Sequence, residues 1–199
     1  MFGMIYVAGV AAGIGYDFSA EVLGDAALLY YLLYAFFMLF LQACATIAIL
    51  GRGGVALASP RRWRIASLFG IGVMAGLGIF LGLLVLVLPG LFLAGRWYLA
   101  APILFGEDVS ASEAMSRSWE RTEQYWLGIA IVVLLGFVWQ AAPLAGALYL
   151  SPDIDNIEWT TSVAMNAVSH AGWMFGVAAA ATAYLLLGGP GRRALEIFG

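Results

Sequence analysis

The chain has 199 residues, of which 63% are apolar and only 11% charged, against about 45–50% and about 25% in soluble domains. Mean hydropathy is +0.94, so the composition is that of a membrane protein, with room for about six spans and short loops but no separate soluble domain. Net charge is -3, and all basic residues are arginine, the longest basic run being Arg61-Arg62-Trp63-Arg64. That pattern argues against a nucleic-acid partner. Cys44 stands alone in an apolar run, so no intramolecular disulfide is expected.

Residues 1–16 are apolar and rich in small side chains, and they lack the basic start of a secretory leader. The expectation is a short first span. Asp17 to Asp25, holding Asp17, Glu21 and Asp25 with no base, reads as a loop. Residues 26–50 form the clearest span, uncharged throughout, with Tyr30, Tyr31 and Tyr34 near one end in the manner of an aromatic belt. Gly51 to Arg64 carries arginines and no acid. Residues 65–88 are the third span, crowded by Gly70, Gly72, Gly76, Gly78 and Gly82, spacings that let neighbouring backbones approach.

Leu88-Pro89-Gly90 opens the stretch around which the rest is arranged. Proline cannot donate to a helix ladder and glycine tolerates a turn, so Pro89 and Gly90 predict a helix break and a hairpin. The return leg, residues 91–106, contains Arg96, and Pro102 removes the hydrogen bond to the Tyr98 carbonyl, predicting a kink. Glu107-Asp108 ends the apolar tract.

Residues 110–126 predict an amphipathic interfacial helix. Ser110 and Glu113 have capping-box spacing; Glu113/Arg117 and Arg117/Glu120 are favourable ion-pair spacings. Ala111, Met115, Trp119, Thr122 and Trp126 fall along one side, with Arg117 and Arg121 marking the cytoplasmic side. Residues 127–150 form the next span, with Gln140 near its middle. An acidic stretch, Ser151 to Trp159, precedes the last span, residues 160–187, which places Asn166, Ser169 and His170 on one face. Gly188 to Gly191 ends it, before Arg192-Arg193.

Arginine-bearing loops face the cytoplasm and purely acidic ones face outward. The consistent expectation is an all-α polytopic membrane helix bundle, residues 1–199 as one integral domain, with six membrane segments and both termini inside.

The run Leu88-Pro89-Gly90, Arg96-Trp97, Ala101-Pro102, Glu113-Ala114, Ser118-Trp119, Thr122 and Tyr125-Trp126 resembles the glycerophosphoryl diester phosphodiesterase membrane-domain family and related six-helix bacterial inner-membrane proteins. The match covers about forty residues. It implies a fold and an inner-membrane location, and no chemistry, because the phosphodiesterase barrel with its metal ligands has no counterpart in this chain.

Catalysis is not expected. There is one histidine, and neither a nucleophile with its base nor a carboxylate pair is placed within a span. No metal and no cofactor are expected, since only His170 and Cys44 offer soft ligands inside spans. Two function classes stand. One is a non-catalytic protein of envelope or lipid organisation that binds lipid, a membrane protein partner or a second copy of itself. The other is a small transporter or channel for a lipid-like or anionic molecule. Arginine stays ionised, and a charge near the bilayer centre costs ~2.5–3.5 kcal/mol, so Arg96 needs a partner. The sharpest expectation is a pocket of Arg96, Gln140, Asn166 and His170 holding an anionic phospholipid headgroup; the blander one has Arg96 reaching local polar groups or the interface.

Overall fold

A computed structural model describes residues 1–23, 27–55, 57, 63–150 and 159–187. Among these the secondary structure is helical and no strand occurs: α1 (Phe2–Leu23), α2 (Ala27–Arg52), α3 (Trp63–Val85), α4 (Val87–Trp97), α5 (Ala100–Gly106), α6 (Ala111–Arg121), α7 (Trp126–Leu150) and α8 (Trp159–Leu186). Asp25, Arg61, Arg62, the acidic stretch 151–158 and the segment from Gly188 to Arg193 lie outside the described residues.

Among the described residues, four stretches are long and apolar enough to cross a membrane: Leu28–Arg52, Arg64–Val85, Val87–Gly106 and Trp126–Pro143. Phe2–Gly15 is a shorter apolar helix. Leu77, Phe80, Leu81 and Leu84 of α3 are exposed, as are Leu135, Phe137 and Val138 of α7. Helix faces this apolar are stable against lipid and not against water.

The residues group into two compact units: Met1–Leu41 with Leu135–Phe175, and Gln42–Leu134 with Gly176–Gly199. In the first, α1 runs through Asp17 to Leu23 where the sequence suggested a loop. The Asp17 carboxylate accepts hydrogen bonds from Ser162 at 2.5 Å and from Asn166 at 2.8 Å, which lets an acid stay on a helix at the end of an apolar run. Glycine permits the close approach of α1 to α8, since a Cβ on Gly9 would stand 2.6 Å from the His170 ring.

In the second unit, α3 and α4 pack along each other. The break between them falls at Leu86, which is extended (φ -163, ψ 151), and not at Pro89-Gly90. Pro89 sits in the first turn of α4, where an N–H has no intrahelical acceptor in any case. Gly90 serves contact instead: a Cβ on Gly82 would lie 2.9 Å from the Gly90 Cα. A Cβ on Gly78 would likewise lie 2.6 Å from the Trp97 ring, whereas Gly70 and Gly76 face open space. The return leg is interrupted at Tyr98–Leu99, between α4 and α5, the turn before Pro102. Pro102 itself is fully buried within α5.

Candidate functional site

The interrupted leg exposes backbone groups inside a tightly packed region, and α6 satisfies them. The Ser118 hydroxyl donates to the Arg96 carbonyl at 2.8 Å and accepts from the Leu99 N–H at 3.1 Å. The single Thr122 hydroxyl proton is shared between Ser118 O at 2.8 Å and the same carbonyl at 3.2 Å. Ser118, Thr122 and Leu99 are fully buried. In an apolar interior an unpaired backbone group costs several kcal/mol, so these two hydroxyls hold the break open at a defined place. The Tyr98 hydroxyl donates to the Gly176 carbonyl at 2.9 Å, fixing the same joint to α8.

The buried stripe of α6 is Ala114, Met115 and Ser118, continuing to Thr122 beyond its end. The expected stripe put Trp119 in the middle; Ser118 takes that place, and Trp119 is rotated toward α4. There it meets Phe92 edge-on at 5.5 Å and Trp97 at 6.2 Å. Trp126 opens α7 and meets Phe92 at 5.2 Å. Ser110 caps α6 by accepting from the Glu113 N–H at 3.3 Å, but the Glu113 carboxylate turns to Arg117 at 2.6 Å. Arg117 pairs with Glu113 and Glu107, and not with Glu120.

Arg96 is 5% exposed. Its guanidinium lies over the Trp119 ring at 4.5 Å and the Phe92 ring at 5.8 Å. Among the described residues no carboxylate pairs with it, and its Nε is buried without a hydrogen-bond partner. Two aromatic faces offset roughly 0.5–2 kcal/mol each. They supply no acceptor to a group that has five donors.

Three other arginines of this unit, Arg64, Arg117 and Arg121, form ion pairs. Glu107, with a side chain only 12% exposed, receives Arg117 at 2.5 Å and Arg121 at 2.6 Å, and the Tyr184 hydroxyl at 3.3 Å. Burial pushes this carboxyl up, and the Arg121 and Arg117 guanidiniums more than offset it, so Glu107 ionises below its ordinary value. Arg64 binds Asp108 at 2.7 Å, the Glu107 carbonyl at 3.2 Å and the Leu104 carbonyl. One acidic pair at the end of α5 thus gathers α3, α6 and α8.

Of the four residues expected to form a headgroup pocket, Arg96 belongs to the second unit, and Gln140, Asn166 and His170 to the first. Gln140 is exposed on α7. Asn166 binds Asp17 and Ser162. His170 is 4% exposed, with Nδ1 2.8 Å from the Asn166 carbonyl and Nε2 3.4 Å from the Tyr34 hydroxyl. The carbonyl can only accept, so Nδ1 carries the proton and Nε2 accepts from Tyr34. A neutral imidazole therefore satisfies both contacts. The sequence reading missed Asp17, Ser162 and Tyr34; the Ser162/Asn166 spacing, one helical turn, was the available signal. It also missed Glu107 as a centre, because its arginines are ten and fourteen residues away.

Among the described residues, no three of His, Cys, Asp and Glu stand together as metal ligands would. No family model, curated protein or solved structure matches this chain.

Proposed function

We propose that the chain is a non-catalytic, multi-pass protein of a bacterial inner membrane that binds anionic lipid and so serves envelope or lipid organisation. The observation that carries this reading is Arg96: a buried guanidinium on an aromatic face, without a carboxylate among the described residues, in the middle of the apolar stretch Val87–Gly106. An ionised arginine in that setting is stabilised by an anion, and its planar fork suits phosphate. Asn166 and His170 already have protein partners, so the proposal rests on Arg96 and not on the four-residue pocket. The remaining elements of the proposal come from the sequence: six segments, cytoplasmic termini, α6 at the cytoplasmic interface, and kinship with the glycerophosphoryl diester phosphodiesterase membrane-domain family.

A second reading, a small transporter, is favoured by one observation. Asp17, Ser162, Asn166, His170 and Tyr34 form a connected polar run across α1, α2 and α8, the kind of intramembrane polar track that transporters use. Proteoliposomes separate the two. The lipid-binding reading predicts retention of anionic lipid through purification and no protein-dependent flux of lipid or small anions. Flux that is lost on Asp17→Asn would favour the transporter.

A further inference from the structure

Alongside Arg96, α4 and α7 enclose an apolar groove of ≈ 540 Å³. Leu88 and Phe92 of α4 form one wall, and Trp126, Ala130 and Leu134 of α7 the other. Its lining presents no polar surface. Phe92 belongs to both features: it lines the groove and lies beneath the Arg96 guanidinium at 5.8 Å. One turn of helix separates Phe92 from Arg96, about 6 Å along the axis. Trp119 and Trp126 both contact Phe92 edge-on, so the wall shared by groove and cation is held in place.

We infer that this groove is the tail site of the bound lipid: an acyl chain lies between α4 and α7, and the anionic group of the same molecule is drawn to Arg96 at the Phe92 end. The inference rests on the lipid-binding reading and makes it specific. Charge complementarity selects the occupant. A neighbouring helix would fill an apolar groove equally well, but it would leave the guanidinium without an anion and Nε without an acceptor. A free phosphate would meet Arg96 but leave the groove empty. One anionic amphiphile answers both, with the tail filling the apolar groove and the head supplying selectivity among lipids already in the bilayer.

The test uses the full chain in nanodiscs with two photoactivatable lipids. Both carry the same diazirine-bearing acyl chain; one has an anionic phosphate headgroup and the other a zwitterionic one. Cross-linked peptides are mapped by mass spectrometry. The expected result is labelling of Phe92, Ala130 and Leu134 that favours the anionic lipid roughly tenfold, as a charge-assisted bond implies, with the preference lost in Arg96→Gln. Leu134→Trp fills the groove from its exposed rim and leaves Arg96 in place, so it gives the test a second route if Arg96→Gln does not fold. It should abolish labelling between α4 and α7.

Equal labelling by both lipids would show bulk lipid only and overturn the inference. Full displacement by glycerol phosphate, which has no tail, would also overturn it in favour of a soluble anion. If anionic lipid is retained but labels elsewhere, the tail site fails while the lipid-binding reading stands. If no anionic lipid is retained, both fail.

Discussion

Ser118→Ala should destabilise the protein out of proportion to the single atom it removes. The hydroxyl makes two bonds, to the Arg96 carbonyl at 2.8 Å and from the Leu99 N–H at 3.1 Å. Side-chain hydrogen bonds between membrane helices average only about 0.6 kcal/mol, because the unfolded reference finds other partners. Two such bonds give about 1.2 kcal/mol. The Arg96 carbonyl keeps Thr122 at 3.2 Å, but among the described residues the Leu99 N–H bonds only Ser118 and is fully buried. A stranded buried donor costs about 1–3 kcal/mol, so the expected loss is about 2 kcal/mol. Thr122→Val alone should cost less, since Ser118 still serves the carbonyl. The double variant should cost more than the sum, because both partners of the carbonyl are then gone. Equilibrium unfolding in bicelles or a steric-trap assay reads these differences. If Ser118→Ala is as stable as the wild type, or the double variant is merely additive, α6 does not hold the break and the account of that joint is wrong.

Glu107 gives a pH signature. Its folded ionisation lies below the ordinary carboxyl value of 4.5, so its contribution is fully present above that value and is lost as pH falls through the lowered folded value. The melting temperature in detergent should drop by several degrees on acidification below about pH 4.5, and Glu107→Gln should lower it at neutral pH while flattening the acid limb. An unchanged acid limb in that variant would assign the effect to other carboxyls. Gly9→Ala places a Cβ 2.6 Å from the His170 ring, whereas Gly3 has nothing within 4 Å. The first should cost about 1–3 kcal/mol as an overpacked contact, and Gly3→Ala should be silent in the same unfolding assay; equal effects would remove the α1–α8 contact from the account. Cysteine labelling of intact cells should reach position 155 from outside and positions 62 and 193 only after permeabilisation, and labelling of position 155 solely from the cytoplasm would invert the proposed orientation.

The apolar runs were readable because length and hydropathy are enough to define a candidate span; four such stretches emerge in the structure. The boundaries were less readable. Asp17 looked like the start of a loop because an isolated carboxylate is costly on an apolar helix, and the compensation comes from Ser162 and Asn166, about 145 residues away. Pro89-Gly90 looked like the turn because proline breaks helix interiors. The chain instead turns at Leu86 and uses proline in a first turn, where its missing N–H is harmless. On α6 the helical spacing gave the correct side to within one residue, but hydrophobicity favoured Trp119 for the centre. The centre is Ser118, since a broken helix needs a donor and acceptor there more than it needs apolar area. Arg96 was legible as a charge needing an explanation. The Trp119 face over it was not, because Trp119 lies on another helix.

The most direct measurement of the central proposal is native mass spectrometry of the protein extracted from membranes in mild detergent, for the wild type, Arg96→Lys and Arg96→Gln. The lysine keeps the charge and loses the planar fork; the glutamine loses both. With melting temperatures in hand to confirm that each variant is folded, the wild type should retain anionic lipid, the lysine variant less, and the glutamine variant least. Equal anionic lipid on all three folded proteins would contradict the proposal and leave Arg96 as a buried cation held by aromatic rings alone.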